Sequence, residues 1–221
     1  RDLYSSIKYE VSLFQIDRKD FIMKSSGNYG DTETEDMWDN IGGARHRGLE
    51  LSMIGDIVKD LSFNLAYTYL NAEYTDYKNF GITMGTSTYM AAAPVVTHDV
   101  TGNTIPRTSD HTANFILNYK PIKEIDLFSE VTLKSKYYAD DLNEIEIPGY
   151  GTLNLMATYN DNFGMFETSL FARVDNIFDK QYYNSARSSS DRNEDGVFDA
   201  EDLSITVNQG RFYTVGLSAK F

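Results

Sequence analysis

Alternation with a period of two constrains this chain more than any other feature. In "LSFNLAYTYL" the residues Leu61, Phe63, Leu65, Tyr67 and Tyr69 fall on one side, and Ser62, Asn64, Ala66 and Thr68 on the other. Successive side chains of a strand point to opposite faces, so the stretch predicts a strand with one apolar and one polar face. The pattern recurs at His111 to Tyr119, at Leu153 to Tyr159 and at Tyr213 to Phe221. Less regular versions begin near Ile7, Arg47, Leu127 and Phe166. Together they predict an all-β, antiparallel chain of about eight strands, each of roughly ten residues, the length a tilted strand needs to cross a bilayer.

The connections between these strands also alternate. Short polar links lie at "GDIVKD", "KPIKEI" and "NDNFGM", whereas long ones run over about 20–44, 74–105, 139–148 and 176–209. Short periplasmic turns at one end and long extracellular loops at the other are the expected plan of an outer-membrane β-barrel, lipid-facing on its apolar side and lumen-facing on its polar side. A soluble sandwich or meander alternates as well. Strand length argues against it, as do the tyrosines near strand ends (Tyr67, Tyr69, Tyr119, Tyr137 and Tyr159), which suit an aromatic girdle.

Composition narrows the function classes. The chain carries 16 Tyr and 13 Phe against a single Trp, and its net charge is −13. So acidic a chain has no basic stripe for phosphates, which excludes a general nucleic-acid binder. Without cysteine there is neither a disulfide framework nor a thiolate metal site. The longest nearly apolar run, "MAAAPVV", is far short of the roughly 20 residues of a spanning helix. The opening "RDLYSSIKYE" has neither an initiating Met nor a signal peptide, which points to processing or to a fragment.

One loop stands apart. In "DRNEDGVFDAED", oxygen donors fall at the first, third, fifth, ninth and twelfth positions: Asp191, Asn193, Asp195, Asp199 and Asp202. Gly196 takes the sharp-turn position, and Val197 would offer its carbonyl. This is the spacing of an EF-hand calcium loop, with Asp202 in place of the bidentate Glu and with a resemblance to dockerin-type loops. The flanks "NSARSSS" and "LSITVNQ" are poor helix formers, so the expected role is structural: Ca2+ bracing an outward-facing loop.

Other candidates are weaker. "SDH", Ser109 to His111, holds triad residue types, but neighbours on a strand point to opposite faces and cannot converge, so no enzyme is expected. His46, His98 and His111 are scattered. His98 shares a long loop with Met84, Tyr89 and Met90, a region placed to touch a ligand. Arg45 and Arg47 suit the wall or lipopolysaccharide, while Arg107, Arg173, Arg187 and Arg211 could line a path for an anionic chelate.

Four stretches carry a family resemblance. "GGARHRGLELS" (42–52) resembles the strand entry of TonB-dependent outer-membrane receptors, with an inward Glu. "IPRTSDHTANFILNY" (105–119) and "IPGYGTLNLMATY" (147–159) are similar to two further segments, although Asn154 stands where the family usually has Asp. "VDNIFDKQYYNS" (174–185) is close to the Asn-(Leu/Ile)-Phe-Asp-Lys-x-Tyr signature, and "TVGLSAKF" resembles the terminal signal read by the barrel-assembly machinery. The resemblance implies the C-terminal portion of a 22-stranded barrel with a plugged lumen. It places the plug domain and the TonB-binding segment outside this chain. It also implies capture of a scarce ligand, typically an iron–siderophore complex, at the cell outer membrane of a Gram-negative bacterium. A small self-closed barrel serving as adhesin or structural anchor is the alternative, and strand count alone does not separate the two.

Overall fold

The computed structural model describes residues 6–20, 22–28, 34–40, 42–85, 94–163 and 166–220. Eight strands form one antiparallel sheet: β1 (Ile7–Lys19), β4 (Gly43–Val58), β5 (Leu61–Asp76), β8 (His111–Ile122), β9 (Ile125–Lys134), β12 (Tyr150–Phe163), β13 (Phe166–Asp175) and β16 (Phe212–Lys220). Their order in the sheet is their order in the chain, and the two outer strands, β1 and β16, do not pair with each other. The sheet is therefore open, which does not favour the self-closed barrel.

The remaining strands form four small hairpins within the long connections. These are β2 (Ile22–Asn28) with β3 (Thr34–Asn40), β6 (Phe80–Thr83) with β7 (Val95–His98), β10 (Tyr137–Tyr138) with β11 (Glu146–Ile147), and β14 (Tyr183–Arg187) with β15 (Ser204–Val207). Every long connection lies at one end of the sheet. At the other end β4 turns into β5 through Lys59 and Asp60, and β8 into β9 through Lys123 and Glu124. Asp60 adopts φ 64°, the left-handed region that a tight two-residue turn calls for and that Asp tolerates.

Register fixes the two faces. Leu61, Phe63, Leu65, Tyr67 and Tyr69 of β5 oppose Tyr119, Leu117, Phe115, Ala113 and His111 of β8. On β4 the same side carries Leu49, Leu51 and Met53, and on β1 it carries Leu13, Val11 and Tyr9. This face stays bare: Leu13 is 77% exposed, Tyr9 75%, Val215 73% and Leu217 70%. Among the described residues no second sheet covers it, so they do not form a sandwich, and a bare apolar face is what a barrel wall turns outward. Glu50 opposes Thr68 on the polar face, the inward position the sequence suggested.

The polar face carries a continuous network. Glu130 accepts hydrogen bonds from the Asn114 and Asn154 amides, each at 3.1 Å, and lies 3.9 Å from Arg173, which pairs with Asp175 at 2.6 Å. Arg173 thus belongs to the wall. The few buried apolar clusters sit among the long connections instead. One gathers Tyr137, Ala139, Ile145, Ile147 and Ala186, the other Ala44, Tyr74, Tyr77 and Val100. A single sheet covered on neither face has no interior of its own, so its apolar packing collects where loops can fold over one another.

Candidate functional site

Three long loops interlock above the polar face. The loop after β5 meets the loop after β9 through Asn143, whose Nδ2 donates to the Thr104 carbonyl at 2.8 Å while its Oδ1 accepts the Thr104 N–H at 2.7 Å. The Arg107 N–H donates to the Tyr138 carbonyl at 2.8 Å, and the Ser188 N–H to the Ala139 carbonyl at 3.0 Å. The buried Asp140 carboxylate accepts the N–H groups of Glu144 and Ile145, which closes the short loop between β10 and β11.

Beneath this cap lies a cavity of about 380 Å³. Ala44 and His46 of β4, Arg18 of β1 and Tyr74 of β5 line one side of it. Their register places all four on the polar face, because Arg18 opposes Ala44, Ala44 opposes Tyr74 and His46 opposes Ala72. The loops add Arg107, Asp141, Arg187 and Ser188. The Tyr74 hydroxyl donates to Asp141 Oδ1 at 2.6 Å. Burial pushes the Asp141 carboxyl above the ordinary carboxylate range, against the opposing pull of the Tyr74 hydrogen bond.

The four arginines proposed as a path separate into three settings. Arg107 and Arg187 reach this cavity together with Arg18, which sequence reasoning did not single out. Arg173 is held in the wall network, and the Arg211 guanidinium donates to the Ile177 carbonyl at 3.2 Å. The histidines remain apart: His46 faces the cavity, His98 ends β7, and His111 Nδ1 sits 2.8 Å from the Tyr67 hydroxyl on the apolar face. Tyr89 and Met90, grouped with His98 in the sequence, lie outside the described residues.

The acidic loop is tightly organised. Asp191 and Asp202 are buried. Asp191 accepts the N–H groups of Asp195 at 3.2 Å and Gly196 at 2.8 Å, and Asp202 accepts those of Arg192, Asn193 and Asp199. Asn193 accepts the Asp195 N–H, Asp195 that of Val197, and Asp199 that of Glu201. Gly196 has φ 86°, the left-handed turn its sixth position requires. A further bond, from Gly85 N–H to Asp191 Oδ2 at 2.7 Å, ties this loop to the one after β5. Burial alone would raise the Asp191 carboxyl, but the backbone N–H groups around it outweigh burial and hold it below its usual range. Among the described residues, no three His, Asp or Glu side chains stand close enough to share one ion. The donor set is nonetheless all oxygen and in calcium-loop order, and the carboxylates lie turned to backbone N–H groups.

The signature stretches acquire physical roles. Asn176, at φ 52°, clamps a turn: its Oδ1 accepts the Lys180 N–H and its Nδ2 donates to the Lys180 carbonyl. Its own N–H donates to Asn154 Oδ1 at 2.8 Å, so the segments 147–159 and 174–185 meet at this pair.

Comparison with known proteins agrees with this architecture. The family described as "TonB dependent receptor-like, beta-barrel" matches residues 2–177. A probable TonB-dependent siderophore receptor, PiuA of Acinetobacter baumannii, is 26% identical over 150 residues, covering 68% of this chain and 19% of the relative. The crystal structure of PiuA superposes with a TM-score of 0.73 at 19% identity, over 96% of this chain and 26% of PiuA. The ferric citrate transporter FecA, unliganded, gives 0.65 at 21% identity, over 97% of this chain and 29% of FecA. BauA, the ferric preacinetobactin receptor of Acinetobacter baumannii, gives 0.66 at 17%, over 100% of this chain and 28% of BauA. The chain thus spans about a fifth to under a third of these relatives' lengths. Its relatives are receptors and transporters rather than enzymes. The chain belongs to the family of TonB-dependent receptor β-barrels.

Proposed function

We propose that this chain is the C-terminal barrel wall and loop cap of an outer-membrane receptor in a Gram-negative bacterium. The receptor imports a scarce ligand, most simply an iron–siderophore complex. The observation that carries the reading is the pairing of a bare apolar face with a polar face capped by three interlocked loops over a cavity. A wall between lipid and lumen needs the first, and ligand capture needs the second. TonB would act on a part of the receptor outside this stretch. The test is uptake of radioactive iron by iron-starved cells, with and without the receptor gene and TonB. Equal uptake in all strains removes the reading.

Three contacts with the surroundings follow from the same reading. The alternating strand β16, with the terminal Phe221 outside the described residues, would be the segment engaged by the barrel-assembly machinery. Beyond the apolar band, Asp17, Arg45, Arg47 and Glu73 form a charged cluster, with Arg45 2.7 Å from Asp17, at the height where lipopolysaccharide phosphates would lie. The 191–202 loop would hold Ca2+ through Asp191, Asn193, Asp195, Asp199, Asp202 and the Val197 carbonyl, bracing the cap. Calorimetry on the full-length receptor that detects no calcium binding at millimolar concentration rejects this last assignment.

A further inference from the structure

We propose that the apolar face of the sheet carries, at its loop end, a seat for a phosphorylated lipid of the outer leaflet. Lys180 takes the phosphate, and a notch floored by Ala113 and Gly151 takes the first part of an acyl chain. The inference rests on the barrel-wall part of the reading above and names one lipid contact of that wall.

Register places the notch. One row across four strands of the apolar face runs Tyr67, Ala113, Leu133 and Gly151. Towards the tight turns the next row is Leu65, Phe115, Val131 and Leu153, and towards the long loops Tyr69 stands beside His111. The notch therefore lies at the loop-end edge of the apolar band, the height at which headgroups meet acyl chains. Ala113 and Gly151 leave two of the four positions in the row without bulk, and a hollow of about 500 Å³ opens there. A Cβ on Gly151 would come within 2.8 Å of Leu133 Cδ2, so the glycine is what lets Leu133 lie along the floor. The Tyr67 hydroxyl and His111 Nδ1, 2.8 Å apart, form a polar wall.

The cation comes from the turn after β13. The Ile177 N–H donates to the Leu153 carbonyl at 3.0 Å, which fixes this turn on β12. Asn176 grips the Lys180 N–H and carbonyl, and Asp179 Oδ1 accepts the Arg211 N–H at 2.8 Å. The side chains of Asn176 and Asp179 are thus spent on backbone groups. The grip on Lys180 uses only its backbone, and its exposed side chain lines the notch. Lys134 also lines it, but its ammonium lies 5.3 Å from the centre of the Tyr137 ring, among the loops.

Charge and position together name the occupant. A cation held beside a lipid-facing hollow matches an anion joined to a hydrocarbon chain. Free phosphate would leave the apolar floor bare, and an uncharged lipid would leave Lys180 unmatched. The cluster at Arg45 and Arg47 differs, because Asp17 and Glu73 stand beside its arginines.

The test uses the full-length receptor purified in detergent, with bound lipid counted by native mass spectrometry. The probes are lipid A with its phosphates, the same lipid A stripped of them by a phosphatase, and inorganic phosphate. The wild type is expected to bind the phosphorylated lipid about tenfold or more tighter than the stripped one. Lys180→Gln, which removes the cation, and Ala113→Leu, which fills the notch, should each weaken that binding about tenfold. Lys180→Arg should keep it. Heat-modifiable mobility on gels verifies that each variant forms its barrel. Equal binding of the two lipids, or a preference that either Lys180→Gln or Ala113→Leu leaves intact, overturns the seat. So does inorganic phosphate binding that Lys180→Gln abolishes and Ala113→Leu does not, which would mark a free-anion site. A receptor found in outer membranes without the lipid preference loses the seat alone, whereas one recovered in the soluble fraction removes the barrel-wall reading itself.

Discussion

Replacing Asn154 by Asp tests the polar wall network at its centre. Asn154 donates from Nδ2 to Glu130 at 3.1 Å and accepts the Asn176 N–H on Oδ1 at 2.8 Å. An Asp keeps the second bond and loses the first, which places two carboxylates in contact. Losing a hydrogen bond to a charged partner costs about 1.5–3 kcal/mol. Like charges about 4 Å apart repel by about 4 kcal/mol at an effective dielectric near 20. Arg173, 3.9 Å from Glu130 and joined to Asp175, offsets part of this. The expected net loss is about 2–4 kcal/mol, measured from urea unfolding of the full-length receptor refolded in lipid. Adding Glu130→Gln should restore at least about half of it, because Gln relieves the repulsion. A loss under about 0.5 kcal/mol, or no rescue by Glu130→Gln, would refute the network as the reason for Asn at this position.

Further outcomes follow from other contacts. Asp141→Asn keeps an acceptor for the Tyr74 hydroxyl and removes a carboxylate disfavoured by burial. Because the Asp141 carboxyl is raised, the folded wild-type chain holds an extra proton between the ordinary carboxylate range and the raised value. Loop stability therefore increases as pH falls through that window. The variant should slow amide exchange at Asn103 and Thr104 near pH 7 and lose that advantage near pH 4. Asp140→Ala removes the acceptor of the Glu144 and Ile145 N–H groups, and at the buried Ile145 exchange protection should fall by about 2–3 kcal/mol. Gly216→Ala would bring a Cβ to 2.3 Å from the Phe171 ring that lies against this glycine, with a loss of about 1–3 kcal/mol in unfolding. An unchanged midpoint would mean that the ring moves aside freely.

By itself the sequence determined the strands, their faces and the end at which the long loops lie. Each of these depends only on neighbours along the chain: the two-residue period in Leu61 to Tyr69, the short polar links such as Gly55 to Asp60, and the loop lengths, whereas pairing carries β4 through Val58 and tightens that link to Lys59 and Asp60. The family resemblance was legible for a related reason. Its stretches are local turns and strand entries, such as the Asn176 clamp on Lys180. The cavity was not legible. Arg18, Tyr74, Arg107, Asp141 and Ser188 come from two strands and three loops, and they meet only because register sets Arg18 beside Ala44 and Ala44 beside Tyr74. Likewise the sequence marked Asp191 as a calcium ligand by spacing alone, but its bond to Gly85, more than a hundred residues away, required the loops to fold over one another. Period and turn chemistry are written locally. Which side chains share one cavity is decided by the strand register and loop packing that bring distant residues together.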